Sequence, residues 1–384
     1  MRMHERAVAV DAPGRAAIIE WLAVRKEIVV WWAASRVVVF AGAFALHLAR
    51  VPHGYFGPAI FRPLFGPLEA WDGVWYRLIA THGYLLVSGR QSDPAFFPLY
   101  PLLLKIVGMT GLPVAAAGLL VSNVLFLGAL LAFDALSTDL FDRALARRAT
   151  VLLAVFPTTY VCSMIYPESL VLLAYSLTGL FAIRRRWGAC AITAAVAALA
   201  RPEGILLALP ILGCLVGQWR SLEPDVRGRG VGALLAGPAA ALSFPLYLGW
   251  ALHDPLAWSK AQTAWGRSFR VDGIYHAFTG ITRQVATQGW PYRDFLACVV
   301  TLGLLALARR AGVPWTWVAL GFATVLVPLG SGSFESDARF ALPALPVYWT
   351  LAWLCRRQLA LRTVVAVSTV LLATATLTLP LVFP

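Results

Sequence analysis

"PVAAAGLLVSNVLFLGALLAFDAL", residues 113–136, carries one formal charge, Asp134, in an otherwise apolar run. As an α-helix rising about 1.5 Å per residue, such a stretch spans the ~30 Å hydrocarbon core of a bilayer. Similar runs lie on both sides of it, near 28–49, 149–164, 166–183, 189–201, 204–219, 231–252, 294–309, 313–330, 338–355 and 363–383. The chain of 384 residues is 59% hydrophobic and 13% charged, against about 25% charged for a soluble domain. The apolar runs are continuous rather than alternating, which excludes a transmembrane β-barrel. The expected fold is therefore an all-α polytopic membrane protein with about 11 spans, within a range of 10 to 12. It forms one domain over 1–384, with no repeat and no low-complexity linker.

The segment 96–111 contains Lys105 and two prolines. It is short for a crossing and is expected to be re-entrant or interfacial, with a true span as the alternative. The distribution of basic residues decides between them. If 96–111 does not cross and 1–27 is cytoplasmic, 19 of the 32 Lys and Arg residues fall in 1–27, 137–148, 184–188, 220–230, 309–312 and 356–362. Those short basic loops then all face inside, as orientation signals do. A crossing at 96–111 would invert every later loop. The N-terminus reads as a retained cytoplasmic segment, because the first apolar run is too long for a signal core and no cleavage site follows it.

A net charge of +13 raises nucleic acid as a partner. The positive charge sits in short loops beside the spans, where it meets anionic lipid, so nucleic acid is not expected and the lipid bilayer is. The five cysteines, Cys162, Cys190, Cys214, Cys298 and Cys355, fall in or at the ends of apolar runs without metal or disulfide spacing. They read as small buried hydrophobes.

The outer side carries two long loops, 50–95 and 253–293, and short links at 164–168, 201–204 and 331–339. Unusual polar residues converge there. "EAWDGVWYRLIATHGY" (69–84) brings Asp72, Arg77 and His82 among Trp71, Trp75, Tyr76 and Tyr84. The links add Tyr166 and Glu168, then Arg201 and Glu203, then Glu335, Asp337 and Arg339. The second long loop adds Lys260, Gln262, Trp265 and Arg267. Each has a plainer reading: Trp and Tyr form interfacial belts, Asp caps helices, and a terminal Arg snorkels. Together they suit phosphoryl-lipid chemistry, in which cations hold a phosphate, a carboxylate takes a proton and aromatic walls pack on sugar.

The blocks "WDGVWYRLIATHGY" (71–84) and "AFFPLYPLL" (95–103) resemble the PIG-V-type mannosyltransferases, relatives of the second GPI mannosyltransferase. "FPTTYVCSMIYPESLVLL" (156–173), "ALARPEGILL" (198–207), "AQTAWGR" (261–267) and "SDARFALPALP" (336–346) follow in the family's order. The resemblance implies a GT-C glycosyltransferase bundle with an extracytoplasmic active site. It also implies a polyprenyl-phosphate-mannose donor, a glycan or glycolipid acceptor and inverting transfer. Asp72 would be the general base. Arg201 and Arg339 would contact the phosphate, with Lys260 and Arg267 in support. Trp71, Trp75, Tyr76, His82, Tyr166, Glu168 and Trp265 complete the expected substrate site. No cofactor is expected: Asp72, Asp93 and Glu168 would have to meet to hold a metal, and no ligand spacing demands one. High Ala, Arg and Gly usage points to the plasma membrane of a bacterium with GC-rich coding. Other readings are a lipid-linked-sugar transporter, or a non-catalytic subunit of a glycosylation complex; the sequence is silent on protein partners.

Overall fold

The computed structural model describes residues 15–49, 64–288 and 291–379, with side chains for 25–49, 64–284 and 292–379. Parts of several expected segments lie outside these residues: 1–14 of the N-terminal segment, 50–63 of the first outer loop, 289–290 of the second, and 380–384 at the end of the last span. Among the described residues the chain is all α, with no strand.

Seventeen α-helices follow in order. They are α1 (Arg15–Ala49), α2 (Asp72–His82), α3 (Leu99–Gly108), α4 (Val114–Leu140), α5 (Arg143–Ala154) and α6 (Glu168–Ile183). Next come α7 (Trp187–Ala200), α8 (Ala208–Gln218), α9 (Pro224–Ala251), α10 (Ala257–Ala264), α11 (Gly273–Thr279) and α12 (Ile281–Gln288). The series ends with α13 (Pro291–Leu307), α14 (Trp315–Leu329), α15 (Asp337–Phe340), α16 (Pro346–Leu354) and α17 (Gln358–Leu377). Short 3-10 turns link several of them, notably Pro157–Ser163 and Pro202–Leu207.

Five helical segments are long and apolar enough to cross a membrane: Arg25–Ala49, Val114–Leu140, Pro202–Ser221, Pro224–Ala251 and Gln358–Leu377. The bent pair Pro157–Ser163 and Glu168–Ile183, meeting at 105°, would make a sixth. The other expected spans are shorter or broken. The segment 149–164 is not one helix: α5 stops at Ala154, ahead of Pro157, whose ring and missing N–H cannot continue it. Likewise 338–355 is α15, a turn containing Pro343, and α16. Backbone that leaves the helical pattern at membrane depth must be buried in protein, and here it is: residues 159–166 are all buried.

Arg36 shows how. It sits inside α1, is buried, and its guanidinium donates to Thr159 O at 2.8 Å and to Ser163 Oγ at 2.8 Å while covering the Phe126 ring at 4.6 Å. An arginine at this depth is costly without partners. It supplies donors to carbonyl and hydroxyl groups that the broken helix leaves over.

The bundle core packs α4 on α6, α6 on α7 and α7 on α9. α3, with 10 residues, is about 15 Å long. By itself it covers about half of the ~30 Å hydrocarbon core. The loops expected to be cytoplasmic meet at one end of the bundle, where Arg147 pairs with Glu27 at 2.7 Å, Arg184 with Asp139 at 2.7 Å, and Arg185 donates to Ser221 at 3.0 Å. The links expected to be outside meet at the other end, around a cavity.

Candidate active site

Four charged residues of the cavity stand where a helix starts or breaks. Asp72 is the first residue of α2. Trp71 before it adopts φ 58°, ψ −126°, a region that costs a non-glycine residue about 1–3 kcal/mol. Burial of its indole, which donates to Leu379 O at 2.8 Å, helps hold it there. The Asp72 backbone N–H donates to the Tyr166 hydroxyl at 3.0 Å. Glu168 opens α6 directly after Pro167. Arg201 closes α7, and the following Pro202 drives it into extended backbone, φ −157° and ψ 144°. Arg339 lies in the single turn α15, entered through Ser336 in left-handed conformation (φ 63°).

These four side chains and Glu203 form one chain of charge. Arg339 Nη1 donates to Asp72 Oδ2 at 2.6 Å, and its Nε lies 3.5 Å from Glu168 Oε1. The same Glu168 oxygen accepts from Arg201 Nη1 at 3.1 Å, and Arg201 Nη2 meets Glu203 Oε1 at 3.1 Å. The Glu168 side chain is 1% exposed, that of Arg339 9% and that of Arg201 11%. Charges this deeply buried persist only when paired and hydrogen-bonded.

Phe340 organises the cations. The Arg201, Arg267 and Arg339 guanidinium carbons lie 4.5, 5.0 and 5.0 Å from its ring centroid. Arg267 differs from the other two. Among the described residues its guanidinium has neither a hydrogen bond nor an ion pair within the protein. Burial lowers its pKa, and the nearby carboxylates of Glu335 and Asp72 only partly oppose this. It is a cation in want of an anion.

All this borders a cavity of about 380 Å³, within the range of small-molecule sites. Asp72, Tyr76, Glu168, Arg201, Trp265, Arg267 and Arg339 line it, as do Glu203, Gln262, Glu335 and Phe340. One side is apolar, with Ile205 and Leu206 facing the cavity beside Val327, Pro328 and Phe269.

Three expected substrate residues stand behind this surface instead. Trp71 and Tyr166 are buried supports. Trp75 packs on Phe96 (6.1 Å) and edge-on to Trp265 (5.4 Å), bracing the Trp265 wall. Two are elsewhere. His82 is exposed at the end of α2, bonded to Thr81 Oγ1 at 2.7 Å. Lys260 pairs with Asp254 at 2.6 Å and does not line the cavity; α10 is amphipathic and turns its polar face to solvent. Phe340 is a site residue that the sequence reading does not single out. Its only signal was an aromatic ring directly after Arg339. Among the described residues no three His, Cys, Asp or Glu side chains cluster to hold a metal.

Gly204 explains the spacing of "ARPEG". A Cβ there would overlap the backbone of Ala197 and Ala198, so only glycine lets the 3-10 turn fold back on α7. Gly204→Ala is expected to lower the melting temperature in detergent and to displace Arg201 and Glu203 from the cavity. Overpacking against backbone costs about 1–3 kcal/mol or more. Wild-type stability in this variant would refute the packing argument.

Asp93 sits outside the spans, 6% exposed, accepting from Leu85 N–H at 2.7 Å. Burial pushes its carboxyl up to about 6. The folded state thus binds this proton more tightly than the unfolded chain. The cost of burying the charge is absent below about pH 4 and fully present above about pH 6. Asp93→Asn should therefore stabilise the protein by on the order of 2 kcal/mol at pH 7.5 and not at pH 4. Thermal melts at the two pH values measure this; a gain independent of pH would refute it.

Residues 56–209 match the family model described as Mannosyltransferase (PIG-V). The match includes Asp72, Tyr166, Glu168 and Arg201 but not Arg267 or Arg339. No curated protein sequence matches the chain significantly. In structure the chain is similar to the oligosaccharyltransferase of Archaeoglobus fulgidus in its apo form. The TM-score is 0.50 at 13% identity, covering 90% of this chain and 56% of that one. A second structure of that archaeal enzyme, AglB with an inhibitory peptide and a dolichol-phosphate, aligns with a TM-score of 0.43 at 13% identity, over 90% and 56% of the two chains. The chain thus spans about half the length of that enzyme. The structural likeness is one of fold, an all-helical bundle aligned over 90% of this chain, and the family match covers residues 56–209.

Proposed function

Starting from a PIG-V-type mannosyltransferase pattern on a GT-C-type bundle, we propose that the protein transfers mannose from a polyprenyl-phosphate-mannose donor to a glycan or glycolipid acceptor. One observation carries this reading: three arginines surround Phe340 at the cavity wall, one of them without an anion, beside the carboxylate of Asp72 at the start of α2. The donor phosphate binds at Arg267, Arg339 and Arg201. Its prenyl chain leaves along Ile205, Leu206, Val327 and Pro328, and the sugar rests against Trp265 and Tyr76.

Asp72 takes the proton of an acceptor hydroxyl as that oxygen bonds to the anomeric carbon. The carbon–oxygen bond to phosphate breaks on the opposite face, and polyprenyl phosphate leaves with the electron pair. The configuration inverts. A positioned base supplies roughly 10²–10⁴-fold, and alignment and charge stabilisation by the arginines supply most of the rest. No general acid is required, because the phosphate leaves as a stable anion. The cavity faces the extracytoplasmic side of a bacterial plasma membrane, following the charge of the loops at the opposite end.

The test uses membranes from cells expressing the chain, radiolabelled polyprenyl-phosphate-mannose and a mixed glycan and lipid acceptor extract. Transfer that depends on the chain and yields an α-mannoside is expected. Absence of transfer with mannose, glucose, galactose and arabinose donors would overturn the enzyme reading in favour of a lipid-linked-sugar transporter. Retained configuration would overturn direct displacement.

A further inference from the structure

The cavity holds a second guanidinium whose donors are not all used. Arg339 Nε is buried and makes no hydrogen bond, standing 3.5 Å from Glu168 Oε1, while Nη1 is committed to Asp72 Oδ2 at 2.6 Å. Glu168 keeps one oxygen on this side and on Arg201, and its other oxygen is buried without a partner. The rings of Tyr166 and Phe340 lie 5.0 Å from the Arg339 guanidinium carbon and confine it. Arg339 is therefore held in place by flat walls and by Glu168, yet bonded at one nitrogen to the group assigned as base.

Building on the donor reading above, we propose that Arg339 is a shared positioning residue. Before the donor arrives it pairs with Asp72. The donor phosphate then competes with Asp72 for it, and Glu168 anchors the guanidinium through the exchange. The donor's phosphodiester presents two non-bridging oxygens that share its charge, one to Arg267 and one to Arg339, which one carboxylate oxygen cannot do. The exchange releases Asp72 Oδ2 for the acceptor hydroxyl. The donor must then bind before a productive acceptor, so that the base is freed only when a sugar is present to receive the attack.

The inference has a consequence in binding alone. Asp72→Asn removes the competing anion, so this variant should bind polyprenyl phosphate more tightly than wild type, by roughly tenfold, the worth of one charge-assisted hydrogen bond. Loss of one negative charge near any anion site also gives some gain, and two controls separate that effect. Glu335→Gln removes a charge from the same cavity without touching Arg339, and should gain less than about threefold. In an Arg339→Gln background the gain from Asp72→Asn should fall below about twofold. Binding is measured on purified protein in detergent by equilibrium titration with polyprenyl phosphate. A gain from Asp72→Asn no larger than that from Glu335→Gln, or undiminished without Arg339, overturns the exchange while leaving the donor site standing. Failure of wild type and all variants to bind polyprenyl phosphate overturns the donor reading and the exchange with it.

Discussion

Asp72→Asn is expected to reduce sugar transfer by roughly 10²–10⁴-fold at unchanged expression and with little loss of thermal stability, because Glu168 still faces Arg339 at 3.5 Å. Asn keeps the size of the side chain and an oxygen to accept from Arg339 Nη1. It removes the site that receives the acceptor's proton. The fold around it should hold, because α2 is anchored through backbone and neighbours: the Asp72 N–H on the Tyr166 hydroxyl, and the Trp71 indole on Leu379. The measurement is initial transfer rate in membranes matched for protein amount. Equal rates in the two forms would remove Asp72 from the role of base and restore the reading of a non-catalytic subunit. A slow variant with a lowered melting temperature would mean that the residue supports α2 instead.

Arg201→Met carries the second large effect. Glu168 is buried to 1% and relies on Arg201 at 3.1 Å. Removing one partner of a buried pair costs about 3–5 kcal/mol, and Arg339, 3.5 Å from the same Glu168 oxygen, offsets only part of it. The variant should melt well below wild type and lose transfer. The double variant Arg201→Met, Glu168→Leu separates the two losses. Replacing both charges by apolar groups of similar size often restores stability, so its melting temperature should recover toward wild type while transfer stays absent. That outcome assigns the pair to function, at a cost in stability. Recovery of transfer together with stability would show that neither charge acts on substrate. Continued instability would show that Arg339 and Glu203, which also face this pair, depend on it structurally.

Much of the architecture was legible because hydrophobicity is a local property. The run at 113–136 appears as α4, and each other expected span is helical over most of its described length, since a polar backbone in an apolar environment must bond within its own segment. The segment 96–111 was readable as a short helix, and it forms one over Leu99–Gly108. What the sequence alone misjudged were interruptions buried in the bundle. The break at Pro157 reads as part of a span because its residues are apolar, and the groups it exposes are satisfied from elsewhere, by Arg36, 121 positions before Pro157, with Asn123 and Ser169.

The site divides in the same way. Residue types pointed to the chemistry proposed for it: a carboxylate among tryptophans and arginines at span ends, together with blocks that resemble PIG-V-type mannosyltransferases, of which those within residues 56–209 match the family model. Tertiary structure alone decided which of these residues meet. It turned Lys260 to solvent against Asp254, left His82 at an exposed helix end, and placed Trp71 and Tyr166 behind the surface. It also gathered Arg201, Arg267 and Arg339 around Phe340 from positions as far apart as 201 and 339. Helix formation depends on neighbours within a few residues, so sequence determines it. Which side chains share a cavity depends on how long helices cross and where they break, and that is settled only by the packing of the whole bundle.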